Sequence, residues 1–217
     1  MKHKHHVGHS RAGLGHGWLK NSALELFKSS VRDYPVLIPE HSSVNNQPAA
    51  HDQTPKLAAL RMHHGSIWHW NRAIYDPTEE GHLRIEMRAL PSGPTAVDMA
   101  ANAAFMIGLT QGLRNLMPAF SHQLNFTAVH QNFYRAAKHG LDATFIWPRR
   151  TRSTAAPLPA MKVIDKLLSI AARGLYELQI EHDEVDYFLG IIQARLANRQ
   201  TGARWQLAML KKLEQNY

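Results

Sequence analysis

Gly65-Ser66-Ile67-Trp68-His69-Trp70-Asn71-Arg72-Ala73-Ile74-Tyr75, then Asp76-Pro77-Thr78-Glu79-Glu80-Gly81, then His82-Leu83-Arg84-Ile85-Glu86-Met87-Arg88 is the stretch that decides the fold. The first part is rich in β-branched and aromatic residues, the middle carries turn chemistry, and the last part alternates polar with apolar. This pattern predicts a β-hairpin. Successive side chains of a strand point to opposite faces, so His82, Arg84, Glu86 and Arg88 share one face and Leu83, Ile85 and Met87 the other. The apolar face is expected to be core. Trp68 and Trp70 are expected in the core as well, with stacking on an adenine ring or a substrate as the functional alternative.

Downstream, Leu90-Pro91-Ser92-Gly93-Pro94 breaks the strand, and Thr95 with Asp98 forms a capping-box-like start for a buried helix through the apolar run Met99 to Leu109. Helical spacing recurs at about 123–138, closed by Gly140, and at 160–177, 184–198 and 202–213. Arg149 to Pro159, rich in Arg, Ser, Thr and Pro, reads as a link. Upstream, a helix is expected from Ser22 to Arg32, capped by Asn21 or Ser22 and ended by Tyr34-Pro35. Residues 1–17 read as a flexible His/Gly-rich segment, and Glu40 to Pro55 as a polar surface loop.

The chain has 217 residues, 44% hydrophobic and 19% charged, which fits a globular domain rather than a disordered chain. Without cysteine, disulfides, thiolate zinc sites and a cysteine nucleophile are excluded. The 25 Lys and Arg against 17 Asp and Glu give +8, which favours anionic partners. No apolar run approaches the ~20 residues that span a bilayer, and the basic start lacks the apolar stretch of a secretory signal, so a cytoplasmic protein is expected. Walker-type phosphate loops, the Rossmann glycine fingerprint and the Gly-x-Ser-x-Gly elbow do not occur.

The polar strand face admits two readings. Glu86 can hold Mg²⁺ while Arg84 and Arg88 neutralise phosphate oxygens, because hard cations take oxygen ligands and arginine matches phosphate bidentately. Alternatively the face is merely solvated, its ion pairs contributing about 0–1 kcal/mol each. His63, His64 and His69 invite a metal, but as strand neighbours His63 and His64 point apart and do not share one. The Arg149-Arg150-Thr151-Arg152 run lacks the interleaved aromatics of a nucleic-acid platform and reads as a solvated loop.

The segment His64-Gly65-Ser66-Ile67-Trp68-His69-Trp70-Asn71-Arg72, with His82 to Thr95, Asp98 and Ala101-Asn102-Ala103-Ala104-Phe105, resembles the bacterial glutamate–cysteine ligase type 2 (carboxylate–amine ligase) family. Gly15-His16-Gly17-Trp18, Asn132-Phe133-Tyr134-Arg135-Ala136-Ala137 and Thr201-Gly202-Ala203-Arg204-Trp205-Gln206 support it. The resemblance implies an α+β fold in which a glutamine-synthetase-like antiparallel sheet is backed by helices and followed by a helical C-terminal region. It implies ATP and Mg²⁺ as cofactors, glutamate and cysteine or another amine as substrates, and γ-glutamylcysteine formed through a γ-glutamyl phosphate. Carried over, Glu86 becomes the metal ligand, Arg88, Arg84 and Arg72 the catalytic contacts, and Arg88, Trp70 and Asn71 the nucleotide contacts. Family members are longer and carry a Gly-x-Glu-x-Glu segment that these residues lack, so residues 18–217 correspond to the C-terminal part of the catalytic domain. An inactive or incomplete fragment, completed by an N-terminal half or by a homo-oligomer, is the matching expectation, with neither nucleic acid nor membrane as partner. The alternative from another class is a non-catalytic basic module that binds nucleic acid or an acidic partner.

Overall fold

A computed structural model describes residues 10–20, 22–39, 54–148 and 155–215. The loop expected at 40–55 and the Arg149–Arg152 run therefore lie largely outside the described residues. The chain divides at Pro91/Ser92 into two compact units. Its class is mixed α+β, with three two-stranded sheets among the described residues, two antiparallel and one parallel.

The first unit contains β1 (Ala12–Gly13), α1 (Leu24–Asp33), α2 (Ala58–Gly65), β2 (Trp68–His69), β3 (Asn71–Asp76) and β4 (His82–Met87). Ser22 Oγ accepts the Leu24 N–H at 3.1 Å, which satisfies one free donor at the start of α1. The helix stops where Tyr34 turns extended ahead of Pro35. A hairpin forms on a shorter first strand than expected: Gly65 ends α2, Trp68–His69 pairs in parallel with Ala12–Gly13 of the segment read as flexible, and β3 and β4 pair antiparallel, with Arg72 opposite Glu86 and Asp76 opposite His82. Its loop needs Gly81 at φ +77, a left-handed conformation that costs glycine little.

Three further expectations for this unit change. His63 and His64 belong to a helix, not a strand, and both are buried. The apolar face of β4 is not core: Leu83 and Ile85 are 58% and 50% exposed. The unit's buried apolar residues are Phe27 of α1, Tyr34 just after it, Ile67 between α2 and β2, and Ala73 of β3, while β4 is the outer strand of a two-stranded sheet. Trp68 is likewise half exposed, and Trp70 part-buried.

Three histidines take the place of apolar packing. His63 Nε2 lies 2.9 Å from the Ser30 carbonyl and His64 Nδ1 3.0 Å from Ser30 Oγ, so one serine on α1 anchors two imidazoles of α2. The His64 ring also packs on Phe27, with centroids 5.0 Å apart, and hydrogen-bonds the Ala73 backbone. His69 meets the Tyr34 hydroxyl at 3.2 Å. Burial holds both His64 and His69 below the usual imidazole pKa, with nearby His16 adding to the effect at His69.

The second unit contains α3 (Ala96–Leu113), α4 (Met117–Gln123), α5 (Phe126–His139), a 3₁₀ turn (Gly140–Asp142), β5 (Thr144–Trp147), β6 (Ala156–Pro159), α6 (Ala160–Glu177), α7 (His182–Ala197) and α8 (Gly202–Glu214). Thr95 caps α3 as the sequence implied, accepting the Asp98 N–H at 3.1 Å. Only a stripe of α3 is buried, however: Ala101, Gly108 and Leu109 are inside, Met99 and Ile107 outside. The core joins Leu109 to Ala171 and Leu175 of α6 and to Val185 and Leu189 of α7.

Helices α3 and α6 cross where Gly108 and Gly112 meet Gly174. A Cβ on Gly174 would stand 2.0 Å from the Gly108 carbonyl oxygen and 2.6 Å from the Gly112 nitrogen. No side chain fits there. Arg195 of α7 ties back to α3 through Asp98 and the Asn102 amide. The expected link before α6 is in part a strand, since Ala156–Pro159 pairs with Thr144–Trp147. The Asn132 side chain of α5 accepts the Ile146 N–H and donates to the Ile146 carbonyl, both at 2.8 Å. Both Ile146 groups thus point away from β6, so Pro157 opposite Ile146 sits where no N–H is called for.

Candidate functional site

Register decides which side chains of the hairpin meet. Residues directly opposite each other share a face, so Arg72, Ile74 and Asp76 of β3 lie with Glu86, Arg84 and His82 of β4. The Arg88 N–H donates to the Trp70 carbonyl at 2.8 Å, which carries the same ladder one pair further. Asn71, opposite Met87, falls on the other face. The residues expected at the site thus separate: Arg72, Arg84, Glu86 and Arg88 come together, whereas Asn71 is turned from them.

On that face two ion-pair groups form. Glu86 Oε2 lies 2.8 Å from Arg72 Nε and 3.7 Å from Arg88 Nε. The Glu86 oxygen and the Arg72 nitrogen are shielded from water without an aligned hydrogen bond, so charge alone holds them. Two guanidiniums against one carboxylate leave a surplus positive charge. In the second group Arg84 Nη1 reaches Asp76 Oδ2 at 2.9 Å and His82 Nε2 at 2.7 Å. Hydrogen bonds from the Thr78 hydroxyl and N–H and from Arg84 hold the Asp76 carboxyl well below the usual carboxylate range.

These residues do not by themselves build a Mg²⁺ site. A Mg²⁺ ion asks for near-octahedral oxygen ligands, and Glu86 is the one carboxylate of its group, already facing two guanidiniums. Among the described residues no group of three or more His, Asp or Glu could hold a metal ion. The same face does suit an anion, because arginine presents a planar fork that matches phosphate or carboxylate oxygens.

Next to this face lies a cavity of about 280 Å³ whose wall includes Leu60, Arg61, Arg72, Ile74, Asp76 and Arg84. Arg61 and Asp76 were not picked out from sequence. Asp76 was read as a turn residue, which it also is, through its bonds to Thr78. Arg61 stands on α2, an eight-residue helix whose N-terminal neighbour Leu57 takes a left-handed conformation and offers no side-chain cap. No helix-start signal marked it.

Comparison of the chain with family models, with curated proteins and with solved structures finds no match. No helix among the described residues is long and apolar enough to cross a membrane.

Proposed function

We propose that the chain carries part of an ATP-dependent carboxylate–amine ligase of the glutamate–cysteine ligase class. The observation that carries this reading is the cross-strand cluster of Arg72, Glu86 and Arg88, together with the sequence resemblance around it. On this reading β3 and β4 are two strands of a larger glutamine-synthetase-like antiparallel sheet.

The reaction couples two displacements. A glutamate side-chain carboxylate oxygen attacks the γ-phosphorus of ATP, and ADP leaves. The neutral amine of the acceptor then attacks the acyl carbon, phosphate leaves, and the amine loses a proton to form the amide. Charge spreads over the oxygens of the transferred phosphoryl group, so catalysis rests on positioning and on preorganised positive groups. Arg88 and Arg72 supply such groups, and Glu86 between them fixes where their forks stand. Arg84, held by Asp76, extends the positive face. Trp70, opposite Arg88 in the ladder, would flank a nucleotide bound there. Mg²⁺ would neutralise phosphate charge but needs ligands beyond Glu86, so no step here is assigned to it.

The test is phosphate release from ATP with glutamate and cysteine together, compared with each alone. Release that depends on both is expected, and Arg88→Gln should abolish that dependence while leaving the melting temperature nearly unchanged, since a half-exposed ion pair contributes about 0–1 kcal/mol. A folded chain with no acceptor-dependent release, alone or supplied with an N-terminal half, would refute the reading.

A further inference from the structure

Three guanidiniums line the cavity beside the hairpin, against a single carboxylate in its wall. That carboxylate, Asp76, is engaged by the Thr78 N–H and hydroxyl and by Arg84. Arg72 faces Glu86 across the strands. Arg61 is different: among the described residues no ion pair or side-chain hydrogen bond engages its guanidinium, and it is exposed where α2 borders the cavity. The remaining wall is mostly apolar, with Phe27, Leu60 and Ile74, and also includes the His64 ring and Tyr75.

We infer that this cavity binds a small organic anion, a carboxylate or phosphate group joined to an apolar body, with Arg61 as its principal charged contact. Size supports the restriction. At about 280 Å³ the cavity lies just below the ~300–1,000 Å³ of clefts that bury drug-sized ligands, so a compact metabolite fits better than a whole nucleoside triphosphate. Charge supports it too, because arginine recognises carboxylate and phosphate through the same paired N–H donors. The half-apolar wall favours an anion that carries hydrocarbon over a bare inorganic one. This site does not depend on the ligase reading, and its test involves neither ATP nor turnover.

The test is calorimetric titration of the full chain with phenyl phosphate, benzoate and inorganic phosphate, at constant ionic strength. One saturable site is expected for at least one aryl anion, tighter than for inorganic phosphate, and the tighter of the two aryl anions names the charged group. Arg61→Gln should weaken it about ten-fold or more, the usual worth of a hydrogen bond to a charged group. Arg61→Lys should fall between wild type and Arg61→Gln. Arg114→Gln, which removes an equal charge from an exposed residue of the second unit, should leave binding unchanged. The inference is overturned if no aryl anion gives a saturable site, if Arg61→Gln binds like wild type, or if Arg61→Gln and Arg114→Gln lose affinity equally.

Discussion

His64 stands where an ordinary core would place a leucine, and its environment favours the neutral ring. Burial lowers its pKa from 6.5, so folding disfavours the protonated form. A depressed pKa contributes stability that is present above the unfolded value and is lost as pH falls through the folded one. The first unit should therefore lose stability as pH drops below about 6.5, with His69 adding to the slope. Urea midpoints measured between pH 7.5 and 5 check this, and His64→Gln should flatten the dependence. An equally steep loss in that variant would show that other groups carry it. Such a role was hidden in the sequence, because a histidine reads alike whether buried or exposed until its partner is known. Ser30 lies 33 and 34 residues from His63 and His64, beyond any local pattern. The alternation of Arg84, Glu86 and Arg88 was legible because a strand repeats every two residues. That Arg72 faces Glu86 was not, since pairing depends on where the hairpin loop closes.

At the level of elements, the long helices were readable where caps and spacing agree. Helix α6 spans Ala160–Glu177, as the spacing at 160–177 implied, and α8 begins after Thr201, whose hydroxyl accepts the Arg204 N–H at 3.2 Å. Strand β6 was masked by Pro157 and Pro159, which argue against a strand until the ladder direction is known. The α3–α6 crossing rests on close backbone approach, and this gives a sharp prediction. Gly174→Ala would drive a Cβ into the backbone of α3, with nothing flexible to yield. Destabilisation of about 3 kcal/mol or more is expected, well above the ~1 kcal/mol that alanine gains over glycine in a helix. Chemical denaturation measures it. Gly190→Ala on α7, where an added Cβ meets nothing, should be neutral or stabilising.

For the molecule as a whole, the sequence conveyed mixed α+β class and surplus positive charge, but not that buried histidines share the first unit's interior with so few apolar side chains. Composition counts a histidine as polar, so a core that uses three is invisible to it. Among the described residues the outer edge of β4 pairs with no further strand and Leu83 and Ile85 on one of its faces are exposed, which offers a strand edge and an apolar surface for association. Light scattering is expected to give a mass that rises with concentration above the 24.5 kDa of one chain. A constant monomer mass over a wide concentration range would count against the edge as an assembly surface.

The opposite arrangement holds at β5. The carboxamide of Asn132 occupies both main-chain groups of Ile146, as a neighbouring peptide unit would. An extended segment from elsewhere that tried to dock on this flank would find its donor and acceptor already taken. One side chain thus withholds those two groups from an incoming strand, and a fully apolar residue at that position would leave them unbonded.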